Sequence, residues 1–143
     1  MANIQPIVKE ITVNAPISRV WKAISTKEDL AKWFHASGDF VPEVGKTFHM
    51  EVQHNGKDYL HTMTITKIIP EKILGLDWFI NGDVGITQAV YELESLGDKT
   101  KVKVTHSGFD KFDDKESAQK NRDGYNEGWD HVLNTLLKEY VEK

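Results

Sequence analysis

Cysteine is absent from this chain of 143 residues, and that absence excludes disulfide bonds and thiolate metal ligands. The sequence also lacks any apolar run approaching the ~20 residues that a membrane-spanning helix requires. Its start, MANIQPIVKEITV, has no basic region followed by a long apolar stretch, so it does not resemble a signal peptide. We therefore expect a cytoplasmic protein with no membrane span.

An excess of basic residues is missing too. The 18 Lys and Arg are outnumbered by 22 Asp and Glu, and the formal net charge is −4. Nucleic-acid binding needs positive charge clustered on one face, so we expect no nucleic-acid partner. The apolar fraction of 39%, with four Trp and six Phe, is sufficient for a folded core. At this length we expect a single domain over residues 1–143.

Motifs that identify common active sites are also missing. The chain contains no G-x-S-x-G, no G-x-x-x-x-G-K and no G-x-G-x-x-G. Its six histidines occur in neither H-x-H nor H-E-x-x-H spacing, which would place several metal ligands on one element. The motifs therefore predict no metal, no cofactor and no catalytic residue.

Periodicity defines the elements at the start of the chain. Residues 7–13 alternate in polarity and predict a strand. An apolar repeat over 17–24, introduced by Pro16, predicts a helix. Thr26-x-x-Asp29 resembles a capping box and predicts the start of a second short helix.

Strands and one long helix follow. Residues 40–106 contain alternating segments separated by tight turns and predict about six antiparallel strands. An amphipathic helix ends the chain, with an apolar stripe of Tyr125, Trp129, Val132, Leu133, Leu136 and Tyr140. Gly124 and Gly128 lie within that helix, where glycine is unfavourable, and we interpret them as points of close backbone approach. This element order predicts an α+β fold.

Asn55-Gly56 is a strong indication of a two-residue hairpin turn. The turn sets a register in which Met50 faces His61. Side chains alternate along a strand, so the apolar partners in that register share one face with His61. Those partners are Phe48, Met50, Val52, Tyr59 and Met63.

Several short segments of the sequence, taken in order, resemble those of one family. They are Ala15-Pro16 to Val20-Trp21, Leu30-Ala31-Lys32-Trp33-Phe34, Tyr91-Glu92-Leu93, Thr105-His106-Ser107-Gly108-Phe109 and Gly128-Trp129, followed by Leu133, Leu136 and Tyr140. Together they resemble the START-like helix-grip superfamily, and within it the branch named after the C-terminal domain of the activator of the Hsp90 ATPase. The resemblance covers about residues 7–141.

The resemblance implies a fold and leaves the activity open. It implies a curved antiparallel sheet wrapped around a long C-terminal helix (a Bet v 1-like or START-like helix-grip fold), with two short helices after the first strand and a cavity between sheet and helix. Members include lipid and small-molecule binders, polyketide cyclases and a co-chaperone domain. The expected cavity residues are Trp33, Phe34, Phe48, Met50, Tyr59, His61, Met63, Trp78, His106, Tyr125 and Trp129.

Each polar candidate has two interpretations. His61 is either a polar anchor for a ligand in the cavity or a histidine bonded to a neighbouring backbone or hydroxyl group. His106 lies at a strand end and has a structural alternative of the same kind. Asp77 is solvated if Leu76 and Trp78 face inward, and is a buried general base in the other register. The aromatic residues are pocket walls or ordinary core.

Three functions follow from these interpretations. The first is a binding protein whose cavity holds a small apolar or amphipathic ligand. The second is an interaction protein acting on Hsp90, although the eukaryotic activator also has an N-terminal chaperone-binding domain for which this chain has no room. The third is a cyclase or hydrolase using His61 or Asp77. We predict the first, with no cofactor.

Overall fold

The computed structural model describes residues 5–34, 40–54, 57–80, 86–109 and 115–142. Its elements in chain order are β1 (Ile7–Val13), α1 (Ile17–Ser25), α2 (Lys27–Trp33), β2 (Thr47–His54), β3 (Lys57–Ile69), β4 (Ile73–Ile80), β5 (Thr87–Ser95), β6 (Thr100–Ser107), α3 (Lys115–His131), a π-helical segment (Val132–Leu137) and α4 (Lys138–Val141). The predicted α+β class, with two short helices after the first strand and one long helix at the end, is confirmed.

Six strands form one antiparallel sheet in the order β1-β6-β5-β4-β3-β2. Consecutive strands from β2 to β6 are neighbours, because each is joined to the next by a short connection. β1 lies at the far edge and pairs with β6, so that Ile7 lies opposite His106. This pairing brings the start of the chain beneath the C-terminal helix, and α3 packs against β1.

The predicted hairpin register is confirmed. Met50 pairs with His61, Phe48 with Met63, and the backbone of Val52 with that of Tyr59. Asn55-Gly56, the turn predicted at 81–83 and the side chains of Val52 and Tyr59 lie outside the described residues.

The core lies between the inner face of the sheet and the helices. Each strand contributes alternate side chains to it, and buried examples are Ile65, Leu76 and Val104. Full burial of one large apolar side chain stabilises a fold by about 1.5–3 kcal/mol, so the alternation of each strand determines which face is covered. No helix in the described ranges is long and apolar enough to cross a membrane.

The buried stripe of the long helix differs in part from the prediction. Trp129 and Leu133 are buried as expected, but the stripe continues through Leu137 and Val141. Leu136 and Tyr140 of the predicted stripe are only half-buried. The π-helical segment explains the difference: its i→i+5 hydrogen bonds take more residues per turn, so positions four apart stay on one face.

The interpretation of the two helical glycines was wrong. A Cβ atom built on Gly124 or on Gly128 meets nothing within 4 Å, and both residues are exposed. They lie on the solvent side of α3, so they mediate no close contact.

The predicted capping box was wrong as well. Thr26 occupies the N-cap position of α2, but its side chain makes no capping hydrogen bond. Its hydroxyl donates to the Lys22 carbonyl in α1, 2.9 Å away. Asp29, the other half of the predicted box, is directed into the protein and bonds to Tyr140.

Candidate functional site

Six ring-bearing side chains meet between the sheet and α3. We call this group the aromatic cluster, and its members are His61, Trp78, His106, Phe109, Tyr125 and Trp129. The Tyr125 ring centroid lies 4.3 Å from that of His106 and 5.9 Å from that of Trp78. The Trp78 and Trp129 rings meet edge to face at 5.7 Å. These separations are typical of favourable aromatic pairs, so the rings are in direct contact.

His106 holds the cluster to α3 on one side and to β5 on the other. Its side chain is completely buried. The Trp129 indole N–H donates to His106 Nδ1 over 2.9 Å, and His106 Nε2 lies 2.6 Å from the Thr87 hydroxyl oxygen. The Thr87 hydroxyl also reaches the carbonyl oxygen of Trp78, 3.3 Å away. Both nitrogens of this buried histidine are therefore hydrogen-bonded, as burial requires.

His61 is also hydrogen-bonded to a tryptophan indole, but at only one of its two ring nitrogens. The Trp78 indole N–H donates to His61 Nδ1 over 2.8 Å. No hydrogen bond joins His61 Nε2 to any residue in the described ranges. The side chain is half-buried and its ring lies 6.5 Å from that of Tyr125. His61 therefore brings one available nitrogen to the edge of an otherwise apolar group of rings.

Both histidines are neutral at physiological pH. Burial lowers the pKa of His61 to about 4 and that of His106 to about 3. Loss of solvent disfavours the charged imidazolium, and no charged neighbour contributes to either shift. The cluster is therefore polar but uncharged.

The other predicted cavity residues surround the cluster at different distances. Phe34 meets Trp78 edge to face at 6.2 Å, whereas the Trp33 indole N–H donates to the Ala23 carbonyl in α1. Phe48 packs on Phe40 at 4.9 Å. Met50 and Met63 are buried on the inner face of the sheet.

Three residues of this region were not among the predicted site residues. Thr87 and Tyr91 both face inward from β5, and the Tyr91 ring lies 5.6 Å from that of Trp129. Phe109 is completely buried and lies 5.1 Å from His106. Side chains two residues apart on a strand share a face, so Thr87 and Tyr91 lie on the same face as Ala89. This alternation would have identified both residues from the sequence.

Asp77 lies on the outer face of the sheet. It pairs with Thr64, while the flanking Leu76 and Trp78 are buried. The register in which Leu76 and Trp78 face inward is therefore the observed one, and Asp77 is half-buried on the opposite face. Because His61 is on the inner face, these two residues do not converge on a common substrate atom.

A second polar group lies at the other end of the long helix. We call Arg19, Asp29 and Tyr140 the carboxylate clasp. The Tyr140 hydroxyl donates to Asp29 Oδ1 over 2.7 Å, and an Arg19 nitrogen lies 3.8 Å from Asp29 Oδ2. The Arg19 guanidinium also stacks 4.8 Å above the Tyr140 ring. The clasp therefore joins α1, α2 and α4.

Charged side chains line two clefts on the surface, and neither of these two lies between the sheet and the long helix. One follows the start of α3 and is lined by Glu116, Gln119, Lys120 and Asp123. The other is lined largely by charged side chains of β1, β5 and β6. The described ranges contain no group of three or more His, Asp or Glu side chains arranged to hold a metal ion.

Comparisons with known proteins agree with this architecture. The family model described as activator of Hsp90 ATPase homolog 1-like protein matches residues 14–142. The chain is similar to the solution structure of protein BH1534 from Bacillus halodurans, with 28% identity, a TM-score of 0.73, and 99% of this chain and 100% of that one covered. None of the curated proteins compared with the chain matches it.

Two further solved structures share the fold. The crystal structure of protein CV1439 from Chromobacterium violaceum has 20% identity and a TM-score of 0.76, with 97% of this chain and 98% of that one covered. The solution structure of the Aha1 dimer from Colwellia psychrerythraea has 24% identity and a TM-score of 0.72, with 97% of each chain covered. The expected helix-grip fold is confirmed.

Proposed function

The chain belongs to the family of activator of Hsp90 ATPase homolog 1-like proteins, and within this family we propose that it binds a small apolar or amphipathic molecule between its sheet and its C-terminal helix. The observation that carries the proposal is the half-buried His61. Its Nδ1 is bonded to Trp78, while its Nε2 has no hydrogen-bond partner in the described part of the chain. Ligand sites commonly combine apolar walls with a few such polar groups.

Binding requires one ring of the aromatic cluster to move, because the rings are in contact. Tyr125 is the suitable member: it is half-buried and belongs to α3, whereas Trp78, His106 and Trp129 are almost fully buried. We propose that Tyr125 rotates away from His106 and then covers the ligand beside His61. Met50 and Met63, on the same face of the sheet as His61, adapt to the shape of the ligand through their flexible side chains.

A thermal-shift screen of a lipid and metabolite library, combined with native mass spectrometry of freshly purified protein, tests this proposal. We expect a co-purified molecule or a set of related hits that raises the midpoint of unfolding, because a ligand that binds only the folded state stabilises it. A library without hits and a protein free of any bound molecule would contradict the proposal.

Two tyrosines of the same helix provide a matched pair of variants. Tyr125 lies in the aromatic cluster, and Tyr140 lies in the carboxylate clasp. Tyr125→Ala should weaken the binding of a hit about tenfold, because the ligand loses an aromatic contact. Tyr140→Ala should leave the dissociation constant of the folded protein unchanged. Equal effects of the two substitutions would argue against the proposed site.

Membership of the family favours interaction with Hsp90 as a second candidate function. The family match extends over residues 14–142, nearly the whole chain. Addition of the protein to purified Hsp90 tests this candidate directly. A stimulated ATPase rate supports a co-chaperone role, and an unchanged rate at saturating protein removes it.

A further inference from the structure

The protonation of both histidines in the aromatic cluster follows from their tryptophan partners. An indole N–H can donate a hydrogen bond but cannot accept one. Trp129 donates to Nδ1 of His106 and Trp78 donates to Nδ1 of His61, so both Nδ1 atoms are acceptors. A neutral imidazole with an acceptor at Nδ1 carries its proton at Nε2.

These tautomers give one direction to a series of hydrogen bonds that crosses the sheet. Trp129 donates to His106, and the His106 Nε2–H then donates to the Thr87 hydroxyl. Thr87 donates in turn to the Trp78 carbonyl oxygen, and the Trp78 indole donates to His61. Every donor is directed from α3 toward β3. The last donor in the series is the Nε2–H of His61.

The His61 end of this series is suited to an uncharged acceptor. A cation would face an N–H group, and no carboxylate in the described ranges hydrogen-bonds to His61 or His106. A carboxylate would lose its hydration among the surrounding rings without gaining a counter-ion. A carbonyl oxygen needs only one donor and tolerates apolar surroundings.

We propose that the ligand site recognises the carbonyl oxygen of an uncharged apolar or amphipathic ligand through a hydrogen bond from the His61 Nε2–H, and discriminates against ligands that offer only a donor at that position. This inference rests on the proposed binding function. It adds that the ligand group beside His61 accepts a hydrogen bond.

The first test measures the tautomers directly and needs no ligand. Two-bond proton–nitrogen correlation spectra of the nitrogen-15-labelled protein at neutral pH distinguish an Nε2–H from an Nδ1–H imidazole. We expect the Nε2–H form for both His61 and His106, assigned by their absence in His61→Phe and His106→Phe spectra. An Nδ1–H form at His61 would overturn the inference whatever the protein binds.

The second test compares three probes with one ring skeleton. They are 9-fluorenone, with a carbonyl oxygen, fluorene, with a methylene group, and carbazole, with an N–H donor. We expect 9-fluorenone to bind about threefold to tenfold more tightly than fluorene, the effect of one hydrogen bond. Carbazole should bind more weakly than fluorene, because its donor meets the donor of His61.

Variants of His61 and His49 test which residue causes the preference for 9-fluorenone over fluorene. His61→Phe should remove the difference between 9-fluorenone and fluorene, while His61→Gln, which retains a side-chain N–H donor, should keep part of it. His49 is a matched control because it lies on the opposite face of the same hairpin, paired with Thr62. His49→Phe should leave the preference unchanged.

The outcomes separate the two proposals. If none of the three probes binds although another molecule of the library does, the binding function stands and the inference is overturned. If the library also gives no hit and no molecule co-purifies, the proposed binding function fails, and with it the inference. If all three bind equally, or if the preference survives in His61→Phe, the binding function stands and the inference is overturned. The expected order of affinities, lost in His61→Phe alone, supports both.

Discussion

Trp129 on α3 meets the sheet through an uncharged histidine, whereas Tyr140 on α4 meets the N-terminal helices through a buried carboxylate. The aromatic cluster contains neutral donors arranged in one direction, and its last donor is available. The carboxylate clasp pairs opposite charges and closes on itself, since Arg19 contacts Asp29 and also donates to the Tyr140 carbonyl.

The difference indicates two roles along one helix. A buried carboxylate such as Asp29 is costly to separate from its partners, so the clasp holds the end of the helix in place. Neutral rings with one unused N–H can be rearranged at lower cost, because no charge is left without a partner. The π-helical segment, Val132–Leu137, lies between the two groups.

Acid should affect the aromatic cluster most strongly. An unfolded histidine has a pKa near 6.5, whereas the folded values are about 4 for His61 and about 3 for His106. As the pH falls below about 6.5, the unfolded chain binds protons that the folded protein cannot. The free energy of unfolding should therefore be highest above pH 6.5. It should decrease by about 2–3 kcal/mol per pH unit toward pH 4.5.

Urea unfolding at pH 7.5, 6, 5 and 4.5 measures this slope. His61→Phe and His106→Phe should each remove about half of it. A free energy of unfolding that stays constant from pH 7 to 5 would show that the histidines are not buried as neutral groups.

Loss of one indole N–H should have the next largest effect, and two buried tryptophans form a matched pair. Trp129 donates to His106, and Trp33 donates to a backbone carbonyl. Trp129→Phe and Trp33→Phe should each lower the free energy of unfolding by about 1–3 kcal/mol, because each leaves a buried acceptor without its donor. Only Trp129→Phe should raise the pKa of His106, since it leaves Nδ1 available for a proton. An NMR titration that finds no difference between the variants would contradict the assigned pairing.

Removal of the Tyr140 hydroxyl tests the other end of the helix. Burial and the hydrogen bond to Asp29 raise the pKa of Tyr140, as expected for a phenol that donates to a carboxylate. Tyr140→Phe should lower the free energy of unfolding by about 1–2 kcal/mol in urea denaturation, without altering ligand preference. Glu139→Gln, at the exposed neighbouring position, is the control and should change little. A loss of ligand preference in Tyr140→Phe would show that the two ends are coupled.

The smallest effect is expected at Gly128, on the exposed side of α3 beside the aromatic cluster. A Cβ at this position meets nothing within 4 Å, so Gly128→Ala should raise the free energy of unfolding by about 0.5–1 kcal/mol through helix propensity. Gly108→Ala is the contrasting substitution: its φ is +98° and its Cβ would lie 2.7 Å from the Gln88 side chain, so it should destabilise. Destabilisation by Gly128→Ala would restore the interpretation of a close contact.

The fold and one part of the candidate site were predictable from the sequence for a local reason. Strand alternation has a period of two, and a two-residue turn sets the register of its hairpin, so the pairing of His61 with Met50 followed from a few neighbouring residues. The tryptophan that bonds to His61 was not predictable in this way. It lies on β4, 17 residues away, and its position depends on a second strand pairing and on the conformation of its side chain.

Asp29 shows why the local sequence pattern did not predict every side-chain partner. Its spacing from Thr26 is that of a helix cap, yet its hydroxyl partner lies 111 residues away on α4. The sequence by itself determined the order of the elements, the two faces of the sheet and the inward position of His61, because these depend on periodicity over short segments. Tertiary structure alone decided the partners of Asp29 and His106, the continuation of the helix stripe to Val141 and the open surroundings of Gly128. Those features depend on which distant surfaces meet when the long helix packs against the sheet.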